Sequence, residues 1–269
     1  MSYGGEQSFV LPKPGRALKG VLLALFGIWL AFALGLNWGG VPQETFALFV
    51  GSTSAILRGE VWRPFTAPLM HVPSVGGIAF VLLGLYFLTP TLEKEWGGKR
   101  LIRFLIVSSV FAYGFQMGFE LVLPEALAAK LVPPYWHGAL PAVEAVAIAW
   151  AMTFRGQTVR LFFVLPVTSR GLILFVVGMS VLYVITLQVP SCGLLAPFGG
   201  MLAGWLFGGG TPSPIRRFWL SLKLQRLEQE AKRERTARKS KVKSSGLRVI
   251  KGGRDDDDDD RGPDGTLLN

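Results

Sequence analysis

Residues Val132–Phe154 read "VPPYWHGALPAVEAVAIAWAMTF". From Gly138 onward the stretch is almost wholly apolar and approaches the ~20 residues that a helix needs to cross a bilayer. Yet Pro141 and Glu144 lie inside the apolar run. Proline removes a backbone donor and breaks helix interiors. A carboxylate at the centre of a span costs about 2.5 kcal/mol or more. A membrane helix that keeps both must direct its carboxylate toward protein rather than lipid, and must have a reason to open on a proline.

The rest of the chain has the same character. Half of its 269 residues are of hydrophobic types, 17% are charged, and the mean hydropathy is +0.41. The charges are segregated. Fourteen Lys or Arg against three Glu fall between Pro214 and Arg254, while the body before them is nearly charge-free over long stretches. This is the pattern of a membrane core with a basic tail. The net charge of +10 is therefore read as a topology signal and an attraction to lipid, not as a nucleic-acid footprint. Cys192 stands alone, which excludes an internal disulfide and a metal site of paired cysteines. No cofactor is expected. The first apolar run follows Lys13, Arg16 and Lys19 and has no convincing small-residue cleavage site, so it reads as a span and not as a signal peptide.

Six segments reach or approach span length: Gly20–Leu36, Val72–Leu88, Leu101–Leu123, Gly138–Phe154, Gly171–Val189 and about Cys192–Gly210. Pro190 separates the last two, and their short link predicts antiparallel neighbours. The Lys/Arg bias of the short loops sets orientation. Lys13, Arg16 and Lys19, then Lys94, Lys99 and Arg100, then Arg155, Arg160 and Arg170, and finally the tail share one side. The opposite side holds Arg58, Arg63 and Lys130. Both termini are expected in the cytoplasm, as in a multi-pass protein of a bacterial inner membrane. The expected organisation is a cytoplasmic N-terminus over 1–16, a six-helix membrane domain over 17–210, a basic juxtamembrane helix over 211–239 and a disordered charged tail over 240–269.

Between the first two spans, "ETFALFVGSTSAILRGEVWRPF" mixes apolar and polar residues and is expected to be partly helical, lying in the interface with Trp62 as an anchor. The tail segment "IRRFWLSLKLQRLEQEAKRERTARK" spaces Phe218, Leu222, Leu224 and Leu227 near helical periods among basic residues. It is read as a helix able to contact anionic lipid. The six consecutive Asp that follow cannot support a packed core.

Small residues recur at helical spacing in two spans. Gly200, Gly204 and Gly208 share one face of the sixth, and Gly138, Ala142, Ala145 and Ala149 form a stripe on the fourth. Helices with such faces can approach closely, and these two are expected to pack together.

Four stretches carry a family resemblance. "GEVWRPFTAPLMH" (Gly59–His71) resembles the first-loop Trp-Arg signature of rhomboid intramembrane proteases. "LYFLTPTLEKEWGGKRLIRF" (Leu85–Phe104) is similar to the end of their second span. "LFFVLPVTSRGLIL" (Leu161–Leu174) is similar to the approach to their fifth. "APFGGMLAGWLFG" (Ala196–Gly208) resembles their last core helix. The resemblance runs from about Val61 to Gly210 and implies an all-α, six-span rhomboid-like fold. In that fold the fourth span starts partway down the membrane beneath a water-accessible cavity. Pro141 then falls in a first turn, where its missing N–H costs nothing. Glu144 lies one turn below Leu140, on the face toward the cavity.

Active rhomboids open the fourth span with Gly-x-Ser-Gly and carry Ala-His in the last. Here "GALP" puts Leu140 at the nucleophile position and "APFGG" puts Pro197 at the base. The oxyanion-holding His and Asn of the second span correspond to Gly77 and Val81. Serine hydrolysis needs a hydroxyl, a base and oxyanion donors, and these residues supply none. The resemblance thus implies a pseudoprotease that binds transmembrane client proteins. Glu144, Trp62 and Arg63 are candidates for client or packing contacts, with Gly138, Gly200, Gly204 and Gly208 holding the core. Glu144 would touch clients, the Trp62–Arg63 loop, or a packing partner inside the bundle. Two alternatives stay open. One is an intramembrane serine protease with an unconventional dyad, Ser191 with His137. The other is a small transporter or channel subunit, disfavoured because the one acidic residue besides Glu144 in the expected spans, Glu120, lies near the end of the third.

Overall fold

The computed structural model describes residues 13–161, 165–209 and 219–233. Contacts divide the chain into two units, Met1–Arg217 and Phe218–Asn269. The basic segment before 219 and the acidic tail lie outside the described residues.

The first unit begins with α1 (Arg16–Asn37), followed by three short helices, α2 (Gln43–Ala47), α3 (Thr53–Leu57) and α4 (Arg63–Thr66), and a 3-10 turn, Ala67–Leu69. Two long helices, α5 (Val75–Trp96) and α6 (Gly98–Val122), precede the short α7 (Glu125–Leu131). Then come α8 (Leu140–Thr153), a hairpin of β1 (Thr158–Leu161) and β2 (Leu165–Thr168), α9 (Ser169–Thr186) and α10 (Ala196–Gly208). The strands are antiparallel, with Thr158 opposite Thr168. This hairpin is absent from the all-α expectation.

Four helices among the described residues are long and apolar enough to cross a membrane: α1, α5, α6 and α9. Their outward faces are apolar, as a lipid solvent requires: Leu23 on α1 and Leu174 and Ile185 on α9 are each at least 70% exposed. The protein is therefore a multi-pass integral membrane protein. The shorter apolar α8 differs. At 14 residues it is about 21 Å long, less than the ~30 Å hydrocarbon layer. Every residue from Pro141 to Ala151 is buried. Apolar on all sides, it can only be central, and α5, α6, α9 and α10 surround it.

The paired small-residue faces meet as expected, with one correction. A β-carbon at Gly200 would lie 2.2 Å from the Pro141 carbonyl oxygen, and one at Gly204 would lie 2.4 Å from that of Ala145. One at Gly208 would overlap the Ala149 methyl. The two helices run parallel in close contact, with Pro141, Ala145 and Ala149 as the facing positions. Gly138 is not part of that stripe. It precedes α8 at φ +107°, a backbone conformation that glycine alone adopts easily.

Three further expectations are corrected. The second span does not stop at Leu88: α5 continues through Pro90 to Trp96, because Thr89, Pro90 and Leu92 face the core. The last two segments are only marginal neighbours. Residues 187–195 separate α9 from α10, and α10 packs on α8 and α6 while meeting α9 only slightly. Finally, Glu144 is not the one charged group in the interior: Arg63 and Glu93 are buried as well. Glu93, on the extension of α5, accepts hydrogen bonds from the Ala17 and Leu18 amides at 2.9 and 3.3 Å and so caps the start of α1.

The second unit contains one described helix, α11 (219–233), whose Trp219, Leu220, Leu222, Leu224 and Leu227 are all exposed. Lys223 lies over the Trp219 ring at 5.9 Å.

Candidate functional site

The start of α8 is held by backbone and side-chain bonds from three loops. The amide of Trp136 bonds the Gly51 carbonyl and that of Gly51 bonds Trp136 in return, at 2.9 and 2.8 Å. The His137 amide donates to the Ser191 carbonyl, and the Gly138 amide to that of Ala67, both at 2.9 Å. The Gly138 carbonyl accepts the Tyr113 hydroxyl at 2.6 Å, and Tyr113 stacks on Trp136 at 4.4 Å. On the neighbouring helix, Gln116 Oε1 accepts the Ala196 amide at 3.0 Å, capping α10. Tyr113 and Gln116, one turn apart on α6, thus fix the first turns of α8 and α10. The sequence reading missed both, although two polar residues at i, i+3 in a span were a usable signal. Irregular backbone at this depth persists because each donor and acceptor finds a protein partner.

Above α8 lies a cavity of about 340 Å³. Gly77 and Val81 on α5 form one wall, Phe175 and Met179 on α9 the other, and Leu140 and Glu144 the floor. His71, His137 and Ser191 line its mouth. The structure therefore brings together all the degenerate positions except Pro197. That residue is buried in the first turn of α10 and does not line the cavity. Leu140 packs in the apolar cluster that contains Ala196, beside Pro197. Pro141 is in the first turn of α8, as expected.

The two imidazoles differ. His71 Nδ1 lies 3.3 Å from the Leu69 carbonyl, and Nε2 lies 3.2 Å from the Ala139 amide nitrogen. An amide can only donate, so Nε2 supplies the lone pair and Nδ1 carries the proton. The ring is neutral and its one acceptor is occupied. Burial holds its pKa below the usual histidine value, against the raising effect of the Leu69 carbonyl. His137 is pushed down to about 4 by burial first and by the neighbouring His71 second. Its Nδ1 has no hydrogen-bond partner among the described residues.

Ser191 is exposed at the mouth. A β-carbon on Gly138 would be 3.6 Å from Ser191 Oγ and 3.9 Å from His71 Nε2, so the hydroxyl sits in the neighbourhood of the committed imidazole. The recorded link between Ser191 and His137 is through backbone.

Glu144 faces the cavity, but its partner is Ser180 on α9, whose Oγ donates to Oε1 at 3.1 Å. It does not meet the Trp62–Arg63 loop. Arg63 points inward, binding the Ala47 and Val50 carbonyls at 2.6 and 2.5 Å and Glu60 Oε2 at 2.6 Å. It fastens the first loop from inside instead of at an interface. Trp62 is half exposed and donates its Nε1–H to the Leu48 carbonyl at 3.3 Å.

The model of the rhomboid domain matches residues 58–212, more than half of the chain. The chain belongs to the rhomboid family. No curated protein matches it significantly. Rhomboids are typically serine intramembrane proteases, which makes the contents of this cavity decisive for function.

Proposed function

We propose that this rhomboid-family protein does not cleave peptides and instead binds transmembrane segments of client proteins at the cavity walled by α5, α8 and α9. The observation that carries the reading is the identity of the two first-turn residues: Leu140 opens α8 and Pro197 lies in the first turn of α10, where a nucleophile and a base would be needed. The remaining imidazole chemistry does not replace them, since the His71 lone pair accepts the Ala139 amide. Supporting a binding role, α5 and α9 each pack against the bundle yet touch one another at most marginally. Phe80 and Phe175, which line the cavity on these two helices, are more than two-fifths exposed. A membrane helix approaching that gap would meet apolar walls and one carboxylate. Both termini lie in the cytoplasm in this reading, with the basic segments on that side. The wider bundle counts six membrane helices, α8 and α10 being the short inner pair.

The test is photo-crosslinking in native membranes. A crosslinker at Gly77 or Met179 should give discrete adducts with membrane proteins, whereas one at Leu23 on the outer face of α1 should give only lipid or diffuse products. Identical adduct patterns at all three positions would remove the support for a client site. The alternative protease reading is favoured by one observation, Ser191 and His137 at the same mouth. It predicts fluorophosphonate labelling that disappears in Ser191→Ala, together with cleavage of a membrane reporter. Either result would replace the binding reading.

A further inference from the structure

We propose that the cavity selects membrane segments that carry a basic side chain, with Glu144 as the group that pairs with it. This rests on the client-binding reading and names the chemistry of the client.

Glu144 is 8% exposed, in the second turn of α8, and forms part of the cavity floor. Oε1 accepts the Ser180 hydroxyl, and Oε2 has no hydrogen-bond partner among the described residues. Buried polar atoms almost always find partners, because an unmade bond in an apolar setting is expensive. Nothing on the cavity wall supplies one. Among the described residues no Lys or Arg lines it, the His71 nitrogens are engaged by Leu69 and Ala139, and His137, Tyr183 and Ser191, which also line it, make no hydrogen bond to Glu144. The buried Arg63 is bound to Glu60 and to two carbonyls. The hydrogen bonds of the described residues thus leave Oε2 open to a group from outside the chain.

The rest of the floor and walls selects among donors. Val81, Val143, Phe175 and Met179 are hydrocarbon or thioether surface. A lysine or arginine fits this setting twice over, with its methylene stem against the walls and its head at the carboxylate. A charge-assisted bond exceeds a neutral one. The same basic group is costly in lipid, so a client helix gains by leaving lipid for this site.

The experiment uses the full-length protein in lipid nanodiscs and single-span Leu/Ala host peptides that differ at one central residue: Leu, Gln or Lys. Each peptide bears the same photo-crosslinker. Wild type should capture the Lys peptide about tenfold better than the Leu peptide, with Gln between them. In Glu144→Gln the Lys-to-Leu ratio should fall to about one, while Ser180→Ala, which keeps the carboxylate, should retain a clear Lys preference. Equal capture of Lys and Leu peptides by wild type overturns the proposal and leaves client binding standing. So does a Lys preference that survives Glu144→Gln, or a Gln peptide captured as well as Lys. Capture of no peptide at all overturns the client-binding reading and this proposal with it.

Discussion

Arg63 shows how far one side chain can organise a loop. Its guanidinium bonds two carbonyls of the first loop and one carboxylate, so truncation leaves several buried groups unsatisfied. Arg63→Ala should destabilise the detergent-solubilised protein by about 2–3 kcal/mol or more, seen as a fall in Tm, with Arg63→Lys losing less. The histidines act in the opposite sense. His71 and His137 are held neutral, the latter with a pKa of about 4 against the ordinary 6.5. The unfolded chain therefore takes up protons that the folded protein refuses. Stability contributed in this way is complete above about pH 6.5, declines as pH falls toward 4, and levels off below. Thermal unfolding across that window should show the decline, and His137→Gln should flatten it. At the same scale the basis of the inactive reading was legible, since Leu140 and Pro197 stand in the sequence itself. The hydrogen bond from Ala139 to His71 was not, because it joins residues 68 apart.

Among elements, α8 and α10 matter most. Their glycines lie against backbone atoms and the Ala149 methyl, none of which can rotate away. Gly204→Ala should push the helices apart and cost about 1–3 kcal/mol. Gly178→Ala on α9 meets nothing within 4 Å and should be neutral, or stabilise by up to about 1 kcal/mol through helix propensity. A pair of unfolding curves decides whether the stripe or glycine content as such is responsible. The cap on α1 makes a second comparison. Glu93→Ala removes the acceptor for two first-turn amides and should cost about 0.5–2 kcal/mol, whereas Glu95→Ala, on the same helix and exposed, should change little. The stripe on α10 was readable from its spacing. Of its expected partners on α8, Ala145 and Ala149 were right, whereas Pro141 stands in for Ala142 and Gly138 belongs to the turn before the helix. The run of α5 beyond Leu88 was hidden by Thr89, Pro90 and Glu93, polar or helix-breaking in composition but buried in place.

For the whole molecule, the arrangement of termini is the claim most open to direct measurement. Cys192 is buried and is the chain's single cysteine, so cysteines introduced elsewhere can be labelled almost without background. Cysteines placed at positions 13 and 240 should be protected from an impermeant maleimide in intact cells and labelled after lysis. One at position 125, at the start of α7 between α6 and α8, should label from outside. The reverse pattern would invert the bundle and place the cavity mouth on the cytoplasmic side.

The sequence by itself determined the solvent, the rough position of the long helices and the glycine face, and it carries Leu140 and Pro197 where the resemblance would put the chemistry. These follow from composition and from periods of a few residues, which local physics sets. Only the tertiary structure decided which helices touch, how the start of α8 is suspended from three loops, where Arg63 and Glu93 find their partners, and that Glu144 lines a cavity with one of its oxygens unpartnered. Each of these depends on pairing groups distant along the chain. In the interior of a membrane protein such pairing is enforced by the cost of leaving a polar atom alone, and that cost has no signature in local sequence.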